Sequence, residues 1–250
     1  MTLGLRSSTV LCIAAAAWTA CGGAPADSSG TAGAVPVSGS GPASGGAVPV
    51  EHARREVDYR ARVVILGDSL TAGLGLAPED AYPARLQARV DAEGWPIEIA
   101  AMGVSGDTTA GGLRRLDWAL DGDVRVLLVA LGGNDALRGL PVDQMRDNLE
   151  RIIEGALERG IRVVLAGMEA PPNFGVAYTS NFREVFRYLA RTHEVTFVPF
   201  LLEGVAGVAD LNQADGIHPN EAGAARVARH LWPSLEPLLR ELAAEQESVP

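Results

Sequence analysis

Lysine is absent from this chain: all 21 of its cationic residues are arginine. Acidic residues outnumber them at 31, which leaves a formal net charge of −10. That balance argues against a nucleic-acid partner, because phosphate binding needs a basic face. It also argues against adhesion to anionic lipid by charge alone. The missing lysine reads as genome composition bias rather than function. Cysteine is nearly as scarce. Cys12 and Cys21 both fall within the first 21 residues, so the rest of the chain offers no disulfide and no cysteine-based metal site. No His/Asp/Glu cluster has metal-ligand spacing, and neither a metal nor a cofactor is expected. The Gly-x-Ser-x-Gly elbow of the α/β-hydrolases is also missing from the domain.

What is present begins with an export signal over residues 1–21. Arg6 precedes a short apolar stretch, Val10 to Ala20, too short for a spanning helix, which takes about 20 residues. Thr19-Ala20-Cys21 then suggests a bacterial lipoprotein signal, with Cys21 as the lipidated N-terminus after cleavage. Trp18 stands where the lipobox usually has an aliphatic residue, and an ordinary secretory signal is the alternative. Either reading implies export, and the lipoprotein reading adds a membrane tether at the cell envelope. Residues 22–61 form a tether rich in Gly, Ala, Ser and Pro with a charged lead-in. Its first part is too poor in large apolar residues to offset its ordering entropy.

Beyond the tether, short apolar runs alternate with longer amphipathic ones. The runs at 62–66, 97–101, 124–131, 162–167 and 195–199 predict strands. Segments 82–93, 109–119, 142–159, 180–192 and 220–244 predict helices. Val126-Leu127-Leu128-Val129-Ala130-Leu131 is apolar throughout, the pattern of a strand covered on both faces. The expectation is one α/β domain over residues 62–245, a three-layer α/β/α sandwich around a five-stranded parallel sheet. Ligands of such sheets bind beyond the carboxyl ends of the strands. Ser69, Gly106 and Asn134 each follow a predicted strand and fall on that rim.

Gly67-Asp68-Ser69-Leu70 supplies a serine on a strand-to-helix turn, and Asp215-Gly216-Ile217-His218 supplies a carboxylate and an imidazole. A serine hydroxyl needs a base to take its proton, and the base works best when a carboxylate fixes its tautomer. Taken alone, the tetrapeptide also suits an ordinary turn with Asp68 or Ser69 capping the next helix. Two more blocks change that balance: Gly103-Val104-Ser105-Gly106-Asp107-Thr108 and Leu131-Gly132-Gly133-Asn134-Asp135. In this order and at these spacings, the four blocks closely resemble the SGNH (GDSL) hydrolases. Within that family, the chain looks most like the bacterial thioesterase, lysophospholipase and arylesterase branch.

The resemblance implies a flavodoxin-like fold and a cofactor-free serine hydrolase. It makes Ser69 the nucleophile, His218 the general base and Asp215 the residue that orients it. The oxyanion hole would comprise the N–H of Ser69, the N–H of Gly106 and the side-chain amide of Asn134. One departure is Ala101, where family members often carry an asparagine that supports the second loop. By the same resemblance, Leu137, Leu140, Pro171, Pro172 and Phe174 would wall an apolar groove for an acyl or aryl group. Equally, these five residues can simply pack two loops together. The expected reaction is hydrolysis of acyl or aryl esters, lysophospholipids or thioesters, with a small-molecule substrate. O-deacetylation of envelope carbohydrate and a non-catalytic lipid-binding lipoprotein are the alternatives.

Overall fold

The structure, a computed structural model, describes residues 61–247. The export signal, Cys21 and all but the last residue of the tether lie outside the described residues. Five strands form one parallel sheet: β1 (Ala61–Gly67), β2 (Ile97–Gly103), β3 (Val124–Ala130), β4 (Arg162–Ala166) and β5 (Thr196–Val198). Their order is β2-β1-β3-β4-β5 and every pairing is parallel. The central strands are apolar because helices cover both of their faces. Val63 to Leu66 on β1 and Val126 to Val129 on β3 are wholly buried.

The helices are α1 (Ser69–Ala72), α2 (Tyr82–Ala92), α3 (Thr109–Arg114), α4 (Leu116–Ala119), α5 (Gly133–Leu137), α6 (Val142–Leu157), α7 (Val176–Thr192) and α8 (Glu221–Glu247). One layer pairs α2 with α8, and α3, α6 and α7 pack together in the other. Helix α6 shows how patterning drives this. Met145, Leu149, Ile152, Ile153 and Ala156 recur at helical spacing and are all buried, each large side chain contributing about 1.5–3 kcal/mol. The stripe Val227, Leu231, Leu235, Leu239 and Leu242 does the same for α8. That helix contains Pro233 and Pro237. Both lie on its exposed side, where the carbonyls they leave without an N–H partner face water. Among the described residues, no helix is long and apolar enough to cross a membrane.

Besides the short helices α1 and α5, which the sequence did not predict, and small shifts at several element ends, the structure departs from expectation in three local places. The helix expected over 109–119 breaks at Arg115, whose φ of −106° and ψ of 10° separate α3 from α4. Helix α7 starts four residues before Ser180, because Gly175, at φ 83°, turns the chain directly into it from a short 3-10 turn at Pro172–Phe174. Asn220 caps α8 rather than opening it, its Oδ1 accepting from Gly223 N–H at 3.0 Å. None of these moves a strand.

Strand order reverses between β1 and β3, so their carboxyl ends flank the crevice where such sheets bind ligands. Ser69 follows β1 and Asn134 follows β3. The loop carrying Gly106 leaves β2, and His218 lies between β5 and α8. Topology thus brings four distant stretches to one rim.

Candidate active site

Ser69 opens α1, a single turn directly after β1. Asp68 caps that turn, its Oδ1 accepting from Leu70 N–H at 3.0 Å. The backbone N–H groups at the start of a helix have no intrahelical acceptor, so the Ser69 turn presents donors beside the hydroxyl. Ser69 Oγ lies 2.9 Å from His218 Nε2. On the other side of the ring, His218 Nδ1 lies 2.6 Å from Asp215 Oδ2. The second oxygen, Asp215 Oδ1, accepts from the N–H of Ile217 at 2.9 Å and of His218 at 3.0 Å. The His218 N–H, then its imidazole, then the Ile217 N–H hold the carboxyl down at about 2. An ionised carboxylate only accepts, so Nδ1 carries the proton and Nε2 turns its lone pair to the Ser69 hydroxyl.

The loop bearing His218 is braced from within. Gln213 N–H donates to His218 C=O at 2.7 Å, and the Gln213 side-chain amide donates to Leu74 C=O at 2.7 Å and Pro219 C=O at 3.0 Å. Leu74 follows the nucleophile turn, so Gln213 links the His218 loop to the segment after Ser69. Sequence reasoning missed Gln213; only its place two residues before Asp215 hints at it.

Asn134 Nδ2 donates to Asp68 Oδ2 at 3.1 Å, which leaves its second amide hydrogen for another acceptor. Asp68 is buried, and burial raises its carboxyl above the ordinary value. Gly106 sits at φ 80°, a conformation that favours glycine, and its N–H has no acceptor among the described residues. Its carbonyl accepts from Arg138 Nη2 at 2.7 Å. Asp135 holds this loop to the neighbouring one, accepting from Thr109 N–H at 2.9 Å and from Thr109 Oγ1 at 2.6 Å. Asp107 pairs with Arg115. The methyl of Ala101 is exposed on β2 and offers the loop no hydrogen bond.

These groups open onto a cleft of about 720 Å³. Ser69, Gly106, Asn134 and His218 line it together with Leu137, Pro171, Pro172, Met168 and Ile217. Leu140 and Phe174 do not. Leu140 gives its carbonyl to the Tyr178 hydroxyl at 2.9 Å, and the Phe174 ring packs on Tyr178 with centroids 5.3 Å apart. Phe174 also lies against Gly139 and so has the packing role that sequence left open for all five, whereas the Leu140 contact is made by its main chain. Ser105 lines the cleft too, but the imidazole is bonded to Ser69. Of the other histidines, His52 is outside the described residues and His230 Nε2 lies 2.9 Å from Phe200 C=O. His193 stands 3.5 Å from Glu150. With Glu154 these two form the one group of possible metal ligands among the described residues, and none of the three lines the cleft.

Residues 65–226 match the GDSL-like lipase/acylhydrolase family. The chain belongs to that family. It is 42% identical over 178 residues to the esterase TesA of Pseudomonas aeruginosa, an alignment covering 71% of this chain and 89% of that protein. It is 32% identical to an arylesterase of Vibrio mimicus, over 74% of this chain and 87% of that one. Similarity to thioesterase 1/protease 1/lysophospholipase L1 of Escherichia coli is 33% identity, over 71% of this chain and 84% of that protein. Among solved structures, that of TesA superposes with a TM-score of 0.68 at 40% identity, covering 71% of this chain and 99% of the other. Family membership and the parallel α/β sandwich therefore agree.

Proposed function

We propose that this protein hydrolyses carboxylic esters through an acyl-Ser69 intermediate. Aryl esters, acyl esters, lysophospholipids and thioesters form its substrate range. The observation that carries the reading is the continuous series Asp215–His218–Ser69, bonded at 2.6 and 2.9 Å and opening onto an apolar cleft. His218 Nε2 takes the Ser69 proton as Oγ bonds to the substrate carbonyl carbon. The tetrahedral oxyanion rests against the N–H of Ser69, the N–H of Gly106 and the Asn134 amide, donors that act on charge present only in the transition state. Collapse expels the alcohol or thiol, which leaves with the proton from His218. Water, deprotonated by the same imidazole, then releases the acid.

The names of the relatives support this range: one is an esterase, one an arylesterase, and one a thioesterase and lysophospholipase. An apolar wall suits acyl and aryl groups better than a sugar, which disfavours the carbohydrate deacetylase. The test is fluorophosphonate labelling of Ser69, followed by a chain-length series of p-nitrophenyl esters with lysophospholipid and an acyl-thioester alongside. Failure to label, or turnover confined to acetylated sugars, would refute the reading.

We also propose that the enzyme works at the cell envelope, tethered through a lipidated Cys21 or released after signal cleavage. The short apolar stretch before Thr19-Ala20-Cys21 supports export. Mass spectrometry of the mature N-terminus distinguishes an acylated cysteine from a free one.

A further inference from the structure

Arg115 sits at the break between α3 and α4, where a surface arginine is the ordinary expectation. Instead its guanidinium reaches under the site and uses all three nitrogens on three different segments. Nε donates to Asp107 Oδ2 at 2.8 Å, Nη1 to Met102 C=O at 2.9 Å, and Nη2 to Gly67 C=O at 2.8 Å. Gly67 is the last residue of β1, two before Ser69. Met102 is at the end of β2, and Asp107 follows Gly106. The ion pair is largely out of solvent, with side-chain exposures of 16% for Arg115 and 11% for Asp107.

The surrounding sequence makes room for this arrangement. A Cβ on Gly111 would stand 1.5 Å from Asp107 Oδ1, so only glycine lets the carboxylate reach the guanidinium. Gly67 C=O also accepts from Val104 N–H at 3.1 Å, and Asp107 N–H closes a turn on Val104 C=O at 3.0 Å. Arg115 thus completes a network that joins the nucleophile turn to the Gly106 loop.

We infer that Arg115, with Asp107, is a positioning residue that sets the Gly106 N–H against Ser69; the inference rests on the esterase reading above. A rigid planar fork holds acceptors on three separate nitrogens in fixed directions, whereas the three donors of a lysine ammonium share one nitrogen on a flexible stem. An oxyanion donor must lie 2.7–3.1 Å from the developing charge. Displacement of a site by about 1 Å is enough to cost about 10²-fold in rate.

The test uses the full-length protein with Arg115→Lys, Asp107→Asn and the double variant. Readouts are kcat and KM on a p-nitrophenyl ester, affinity for an aryl boronic acid that forms a tetrahedral anion on Ser69, and the folded fraction by calorimetry. For Arg115→Lys, kcat falls about 10- to 10²-fold while KM stays within about threefold. Boronate affinity falls by the same factor as kcat, and the double variant is no worse than the poorer single one. Should Arg115→Lys not fold, Asp107→Asn is read by the same measures. The inference is overturned if folded variants keep wild-type kcat and boronate affinity, or if both fall only in proportion to the folded fraction. Turnover that survives Ser69→Ala, with Arg115 and Asp107 intact, would instead refute the esterase reading, and this inference with it.

Discussion

Asp68 offers a perturbation whose effects on rate and on stability separate. Its carboxylate is 3% exposed and has two partners, Leu70 N–H on one oxygen and the Asn134 amide on the other. In Asp68→Asn the substituted amide can still accept from Leu70 N–H. Its NH2 then faces the NH2 of Asn134, donor against donor. Flipping the Asn134 amide repairs that contact but carries the hydrogen meant for the oxyanion away from the cleft. Loss of one such donor costs about 10²–10³ in kcat, or about 2.7–4 kcal/mol of transition-state stabilisation. KM should hardly move, because the interaction is absent in the ground state.

Stability responds with a different sign. Burial raises the folded-state carboxyl of Asp68 above its ordinary 3.8, so the contribution of Asp68 to stability is fully present below 3.8 and lost as pH rises through the elevated value. The amide variant has no such titration. Its stability relative to wild type should therefore improve as pH rises from about 3.8, then level off. Urea unfolding of both proteins across that range gives the difference curve, and p-nitrophenyl ester kinetics give kcat and KM. An unchanged kcat, or a stability difference that is flat with pH, would refute the reasoning.

Ser69→Ala and His218→Ala should each remove most turnover, and the double variant should lose little more; losses that multiply would contradict a shared unit. Asp215→Ala should cost less than either. Because the Asp215 carboxyl is held at about 2, its contribution to stability is present above 3.8 and lost as pH falls through about 2. Unfolding curves of wild type and variant should therefore converge over that interval. Leu137, 48% exposed on the rim of the cleft, should act on specificity alone. Leu137→Ala should lower kcat/KM for medium and long acyl esters about tenfold relative to acetate, the lower end of what an apolar pocket contact supplies. An equal loss on acetate would place Leu137 in loop packing.

The sheet was legible because its strands are covered on both faces. Unbroken apolar runs such as Val126 to Leu131 announce themselves without an alternating pattern. The reacting groups were legible for a different reason. A nucleophile, a base and its carboxylate are constrained to a few residue types, and the strand ends around them accept few substitutes for glycine. What remained hidden depends on partners far away in the chain. Leu137 and Phe174 look alike as apolar residues of predicted loops, yet Leu137 lines the cleft while Phe174 packs on Tyr178. Nothing in their identity separates these fates, because the direction of a loop side chain is set by what it meets.

Arg115 shows the same limit from the polar side. In sequence it is the second of two adjacent arginines in a segment that reads as one amphipathic helix. Continuing that helix would satisfy local propensity. The observed break interrupts the helix at Arg115 alone, and there the guanidinium makes three charge-assisted hydrogen bonds in a poorly solvated place. Tertiary contacts therefore override propensity here, and they do so beneath the Gly106 loop, where the donors of the site must be held in register. By contrast, the early start of α7 comes at Gly175, at φ 83°, and its first turn is held by Tyr178 against Leu140 C=O and the Phe174 ring. No residue of α7 lines the cleft, so that boundary does not touch the chemistry.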